Sequence, residues 1–264
     1  MTEQFDSGLG CCTGGQYEAR TVGSLVLIFV AVLGFCGIWI LYPYPDSLRV
    51  KWIIVSLVII GQCAAAGYMV NNRIDGILID DRNRISLERF QWIVWLIVLL
   101  GGYFVECFAN IAANQPFPTI QPQLLILLGI VSASPVVSNI ITDTKKQLSV
   151  PAAQQANHPL SRADAPAQAG ALDVNQQVSE ASWSDLFLGE EVANRYVVDI
   201  SRLQKLIITV LLVMAYVGWL WNDLTTKTTF TAMPQVDENG TFIWLLGISH
   251  AAYLAYKSTP KTPS

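Results

Sequence analysis

Long apolar segments alternate with shorter polar segments along most of the chain. A helix needs about 20 apolar residues to cross a bilayer, and six segments reach or approach that length. They cover residues 21–41, 52–70, 92–113, 123–141, 205–222 and 241–256. The last segment is short and contains Ser249 and His250, so it is the weakest of the six. The pattern predicts an all-α integral membrane protein with about six transmembrane helices.

Part of this pattern occurs twice. Residues 87–105 align without gaps on residues 200–218, and LLGI at 127–130 returns at 245–248. The identical residues in the first alignment are Arg89, Gln91, Leu99 and Tyr103, which fall on Arg202, Gln204, Leu212 and Tyr216. Such repetition is typical of folds built from copies of one supersecondary unit. We therefore predict tandem helical hairpins of the same orientation, two in number, or three if residues 21–70 form a further copy.

The second helix of each hairpin carries a glycine and an alanine four residues apart. Small residues at this spacing let two helix backbones approach closely in lipid. The predicted packing positions are Gly61, Ala65, Gly129, Ala133, Gly247 and Ala251.

Composition and charge agree with a membrane protein and suggest its orientation. The chain has 264 residues, of which 52% are hydrophobic and 14% charged. If the N-terminus is cytoplasmic, thirteen Lys and Arg residues lie in inner segments and three in outer loops. This asymmetry predicts that both termini are cytoplasmic. We expect a bacterial inner membrane, because the outer loops are short. A net charge of −4 without a basic run argues against a nucleic-acid partner.

The same pattern divides the chain into six parts. They are a cytoplasmic N-terminal tail at 1–20, a first transmembrane hairpin at 21–70, a second hairpin with a leading interfacial helix at 71–141, a flexible cytoplasmic linker at 142–181, a third hairpin with a leading interfacial helix at 182–256 and a cytoplasmic C-terminal tail at 257–264. The linker is expected because residues 149–181 are rich in Ala, Gln, Pro and Ser and contain few large apolar residues.

Each leading segment ends in an acidic pair followed by an arginine, which we call a charged elbow. One interpretation is a salt-bridged corner anchored at lipid headgroups, and the other is a carboxylate site for a divalent cation or a phosphate-bearing ligand. The elbow residues are Asp80, Asp81, Arg84, Arg89, Glu190, Glu191, Arg195 and Arg202. The five cysteines show no zinc-site spacing, so we expect no metal and no cofactor.

Polar residues inside the apolar segments are candidates for a polar pathway through the membrane. They would either hydrogen-bond across packed helices or line a route for an ion or solute. The candidates are Gln62, Glu106, Ser132, Ser134, Ser249 and His250. No motif that pairs a nucleophile with a base is present, so no catalytic residue is predicted.

Three functions from different classes fit these observations. The first is a multi-pass scaffold or anchor subunit that self-assembles or docks a cytoplasmic partner. The second is a channel or transporter for an ion or small solute, and the third is a lipid-interacting membrane enzyme that uses the charged elbows. The expected partners are the lipid bilayer and either further copies of the chain or the other subunits of a larger membrane complex.

Overall fold

The computed structural model describes residues 47–147, 168–169, 172–235 and 239–259, with six isolated helical positions between residues 27 and 37. The predicted N-terminal tail lies outside the described residues, as do most of the first predicted span and residues 260–264 of the C-terminal tail.

The described part of the chain is mostly helical. Its α-helices are α1 (Leu48–Asn71), α2 (Leu87–Ala112), α3 (Pro122–Lys146), α4 (Ile200–Thr226) and α5 (Thr241–Ser258). Short 3-10 helices occupy Gly76–Leu78, Val178–Glu180 and Trp183–Leu186. Strands β1 (Gln168–Ala169) and β2 (Leu172–Asp173) form a small antiparallel pair.

Four of these helices, α1 to α4, are long and apolar enough to cross a membrane, which fits an integral membrane protein. They lie on the predicted spans 52–70, 92–113, 123–141 and 205–222. The segment predicted as the sixth span forms α5, which has 18 residues and is not among the four. Ser249, His250 and Lys257 reduce its mean hydropathy.

Side-chain caps fix where α2 and α4 begin. The Ser86 side chain accepts a hydrogen bond from the backbone N–H of Arg89, and Asp199 accepts from the N–H groups of Ser201 and Arg202. An oxygen at this position satisfies N–H groups that have no partner within the helix. An isolated β-bridge precedes each cap, Ile79 with Ile85 before α2 and Leu188 with Val198 before α4.

Helices α2 to α5 form a four-helix bundle in which α2 and α5 each pack against both α3 and α4. We call the end at which α2 and α4 begin the charged end and the opposite end the far end. Apolar side chains fill the middle of the bundle, namely Trp95, Leu99, Leu127, Val131, Leu212 and Leu246. The two loops at the far end meet in a parallel bridge between Thr119 and Ala232.

The later part of α1 and the turn after it belong to a second compact unit, which includes residues 57–77. Gly67 packs directly on this turn, because a Cβ added there would lie 2.6 Å from the backbone nitrogen of Ile77. The Asn71 side chain donates to the carbonyl oxygen of Gly76 at 2.7 Å and closes the turn.

The structure replaces the two predicted interfacial helices with short turns. Residues 72–86 contain only the three-residue 3-10 helix Gly76–Leu78 and the bridge before α2. In the other segment, Trp183–Leu186 form a single 3-10 turn, with Trp183 exposed and Leu186 buried. The spacing of apolar residues suggested longer helices, but the buried charges that follow each turn hold the backbone in loops.

The last part of the predicted linker is packed structure. Residues 142–146 continue α3, and residues 148–167 lie outside the description. Leu172 is fully buried, and the backbone N–H of Asp173 donates to the carbonyl oxygen of Glu190 at 3.0 Å. Ion pairs and backbone hydrogen bonds thus secure a segment that contains few large apolar residues.

The predicted Gly-Ala positions do not bring the described helices together. A Cβ added at Gly61 or Gly129 would meet no described atom within 4 Å, and one at Gly247 would make an ordinary 3.6 Å contact with Ile130. Ala65 is half-buried, while Ala133 and Ala251 are exposed. The close approach instead occurs at Gly102, whose Cβ would lie 2.7 Å from Leu220 Cδ2.

Candidate functional site

Glu88, in the first turn of α2, is the centre of a buried polar cluster at the charged end. Its carboxylate accepts hydrogen bonds from the hydroxyls of Ser86 and Ser138, each at 3.0 Å. The Tyr253 hydroxyl donates to the same carboxylate at 2.5 Å, and Lys257 Nζ lies 3.4 Å from it. Glu88 is 3% exposed, so protein groups from α3 and α5 replace water around its charge.

A second buried carboxylate, Glu190, lies beside Glu88 and shares one of its partners. Lys257 Nζ is 2.7 Å from Glu190 Oε2 and so bridges the two acidic side chains. Arg202 and Arg82 approach Glu190 Oε1 at 2.5 Å and 3.2 Å. The last turn of α5, the first turn of α4 and both loops therefore meet at one carboxylate.

A third group of ion pairs connects the loop before α2 with the segment that precedes α4. Arg84 lies 3.1 Å from Asp173 and 3.4 Å from Asp185, and Arg195 lies 2.8 Å from Asp173. All four side chains are largely buried. The two Arg84 contacts join segments about 90 to 100 residues apart in sequence.

The two charged elbows converge in this cluster through arginine and lysine. Asp80 is 2.7 Å from Arg82, which also contacts Glu190. Asp81 pairs with Lys146, and Glu191 lies 2.6 Å from Lys145. The fourth elbow carboxylate is Glu190 itself. Within the described ranges, no group of three or more His, Cys, Asp and Glu side chains is placed to hold a metal ion.

The loop charges differ in how burial and neighbours affect them. Burial alone would raise the pKa of Glu190, but Lys257, Arg82 and Arg202 together hold that pKa well below its usual value of 4.5. Burial raises the pKa of Asp173 although Arg84 and Arg195 oppose the shift. Glu190 is therefore ionised at neutral pH, and the cluster works as a set of ion pairs.

Lys205, on α4, is the cationic side chain of the cluster with the least compensation. It is fully buried, its Nζ donates to the Ser134 hydroxyl at 3.1 Å, and it lies 4.1 Å from the centre of the Tyr253 ring. Among the described residues no carboxylate lies within 4.0 Å of it. Its charge acts on His250, which is 3% exposed and has no hydrogen-bond partner at either ring nitrogen in the described part of the chain.

The predicted polar-pathway residues occupy several places. Ser134 and His250 belong to the charged end, as described, and Ser249 is buried on α5. Ser132 lies on the exposed side of α3 and accepts a hydrogen bond from Trp92 at 3.3 Å. Gln62 belongs to the second compact unit, where its Nε2 has no partner among the described residues.

Glu106 lies on the same buried face of α2 as Glu88, in the half nearer the far end. The two glutamates are 18 residues apart, or about 27 Å along a helix that rises about 1.5 Å per residue. Apolar side chains in the middle of the bundle, such as Leu99 and Leu212, lie between their levels. Within the bundle, Glu106 is therefore separated from Ser134 and His250 by apolar side chains.

Several members of the cluster were not predicted from the sequence. They are Arg82, Ser86, Glu88, Ser138, Lys145, Asp173, Asp185, Lys205, Tyr253 and Lys257. Helical spacing could have indicated some of them. Glu88 and Gln91 lie on the same face of α2 as the buried Trp95. On α4, Arg202, Lys205 and Thr209 likewise share a face with the buried Leu212.

The cluster leaves little room for a ligand. A pocket of about 20 Å³ between Glu190, Glu191 and Lys257 has space for about one water molecule. A wider pocket of about 500 Å³ opens at the far end, lined in part by Asp223 and Lys227.

Comparison of the chain with protein-family models, with curated proteins and with solved structures found no match.

Proposed function

We propose that the protein is a multi-pass membrane scaffold or anchor subunit, which self-assembles or docks a cytoplasmic partner. The observation that carries this proposal is the closed ion-pair cluster at the charged end. Lys257 connects Glu88 with Glu190, and Arg202 and Arg82 complete the surroundings of Glu190.

This arrangement is better suited to holding the helices and loops rigidly together than to binding a ligand. A buried ion-pair network stabilises one arrangement of its segments, because separating a pair leaves a charge buried without compensation. Four helices and two loops are held in this way, with space for about one water molecule. A fixed surface of this kind suits a subunit that holds other proteins in place.

The proposal includes an orientation. We propose six membrane spans, α1 to α5 and the segment at 21–41, with both termini and the charged end in the cytoplasm of a bacterium. The distribution of Lys and Arg supports this orientation, because most of them lie at the charged end or in segments next to it.

It also includes a duplicated hairpin, α2–α3 and α4–α5. Both copies begin with a β-bridge followed by an N-cap, Ser86 in the first and Asp199 in the second. The offset of 113 residues that aligns Arg89 on Arg202 also pairs Thr119 with Ala232 in the bridge between the outer loops.

A channel or transporter is the second candidate function. The observation that favours it is the presence of buried polar groups without partners among the described residues, namely His250 and Glu106. Such groups are rare in membrane interiors and often belong to ion or proton pathways. The apolar middle of the bundle between them makes this the weaker proposal.

We do not propose the lipid-interacting enzyme. It requires elbow carboxylates that are free to coordinate a metal ion or activate a substrate. Asp80, Asp81, Glu190 and Glu191 each have an arginine or lysine partner.

The test is to purify the full chain in lipid nanodiscs, measure the mass of the assembly, and reconstitute the same sample into liposomes for ion-flux assays. A scaffold predicts a defined oligomer, or a stoichiometric partner, and flux equal to that of empty liposomes. Flux that falls at least tenfold in the His250→Ala variant would overturn the scaffold proposal in favour of the channel. A monomer with no partner and no flux would contradict both.

A further inference from the structure

Two glutamates on the buried face of α2 have opposite surroundings. Glu88 is 3% exposed, and four side chains from three parts of the chain contact its carboxylate. Glu106 is 0% exposed, and neither carboxylate oxygen has a hydrogen-bond partner in the described residues. One helix thus carries a fully compensated acidic group and an uncompensated one.

An ionised carboxylate without partners is strongly disfavoured in an apolar interior. Water solvates the charge far better than aliphatic side chains do, so a buried acid in such surroundings takes up a proton or a cation. Glu106 lies in a candidate membrane span, where bulk water is not available to solvate it. The neutral acid removes most of this penalty.

Tight packing near Glu106 limits what can bind there. Gly102, one helical turn before Glu106, lies against Leu220 so closely that an added Cβ would be 2.7 Å from its side chain. Leu220 and Tyr216, one turn apart on α4, are both 0% exposed. Such packing favours a proton, which needs no additional space, over a hydrated metal ion.

The charged groups that act on Glu106 lie toward the far end. They are Asp223 and Lys227, near the end of α4. Three uncharged titratable groups also interact with Glu106 electrostatically, namely Tyr216 on α4 and Tyr103 and Cys107 on α2. No ionisable group of α3 or α5 within the described ranges is among them. Asp223 and Lys227 pair with each other and line the pocket that opens at the far end.

We propose that Glu106 is a proton-binding site within the membrane domain, which holds its carboxyl as the neutral acid. The apolar middle of the bundle separates this site from the charged end. The inference does not depend on the scaffold function, since it concerns a different end of the bundle.

Infrared difference spectroscopy on the full chain in nanodiscs tests the protonation state directly. The wild-type protein at pH 7 is expected to show the C=O stretch of a protonated carboxyl, and this band is expected to be lost in the Glu106→Gln variant. Glutamine has nearly the same shape and no charge, so the variant should retain the thermal midpoint to within a few degrees. If the spectra of the variant and the wild type overlay in this region, the proposal is wrong.

Carbodiimide labelling gives a second, independent measurement in which Glu88 serves as the internal control. Dicyclohexylcarbodiimide is apolar and adds the O–H of a protonated carboxyl across its C=N bond, which leaves an acylurea after rearrangement. Peptide mapping is expected to find the adduct at Glu106 and at least tenfold less at Glu88. An adduct at Glu88 but not at Glu106 would overturn the proposal, as would protection of Glu106 by sodium ions at constant pH, since that would identify a bound metal cation.

Discussion

At the scale of single residues, Lys257 is the side chain on which the buried cluster depends most. Its Nζ compensates two buried carboxylates at once, Glu88 and Glu190, and it donates to the Ser138 hydroxyl at 2.6 Å. Burying charges costs more free energy than a single ion pair recovers, so stability depends on the complete set of contacts.

We expect the Lys257→Met substitution to lower the free energy of unfolding by about 3–5 kcal/mol, because it leaves two buried carboxylates undercompensated. The measurement is the thermal or denaturant midpoint of the purified protein in nanodiscs, followed by tryptophan fluorescence. Lys227→Met is the matched control, since Lys227 pairs with Asp223 in a half-exposed position. Exposed pairs contribute about 0–1 kcal/mol, so equal losses in the two variants would contradict the importance of the cluster.

At the residue level, the sequence drew attention to charges that belong to a repeated pattern and not to charges at the ends of apolar segments. Glu190 and Arg202 were singled out because they belonged to a repeated acidic and basic pattern. Glu88 and Lys257 were overlooked because charges beside an apolar run usually face water or headgroups. Burial of such residues depends on partners that are more than 100 positions away, which local patterns do not reveal.

At the scale of helices, packing of α2 against α4 depends on a glycine that the Gly-Ala pattern did not identify. Gly102 accommodates Leu220, whereas Gly129 has no described neighbour within 4 Å of an added Cβ. A repeated small-residue spacing predicts that a helix has a smooth face, and the position of its neighbours decides whether that face is used.

Substitution of Gly102 and Gly129 by alanine tests which of the two glycines lies at a close helix contact. Gly102→Ala is expected to destabilise the protein by about 1–3 kcal/mol, because the new methyl group forces Leu220 from its position in a filled core. Gly129→Ala is expected to be neutral or to stabilise by up to about 1 kcal/mol, since alanine favours the helix and meets no described atom. Thermal unfolding of both variants under identical conditions provides the comparison, and a larger loss at Gly129 would refute this assignment.

Four of the predicted spans were confirmed as long apolar helices, whereas the predictions for the segments between helices were less accurate. Apolar runs mark α1 to α4 because a bilayer-spanning helix must be apolar over most of its length. The predicted interfacial helices and the flexible end of the linker were wrong in the described residues. In both cases, ion pairs such as Arg84 with Asp173 determine the structure, and propensity rules do not include contacts between distant segments.

At the scale of the whole molecule, the number of spans and the orientation can be tested together. We expect a reporter active only in the cytoplasm to function when it is fused after residue 264, and a reporter active only outside to function when it is inserted at 113–116 in the α2–α3 loop. Six spans and a cytoplasmic N-terminus require both results. Activity of the outside reporter after residue 264 would show that α5 does not cross the membrane or that the orientation is reversed.

The sequence separation of the ion pairs also affects the timing of biosynthesis. Glu88 is separated from Lys257 by 169 residues, a length that a ribosome needs roughly ten to thirty seconds to translate at about 5–20 residues per second. During this interval, α2 has been synthesised while its cationic partner on α5 does not yet exist. The nascent chain must therefore keep Glu88 at the membrane surface, or shield it with the insertion machinery, until the final helix emerges and completes the bundle.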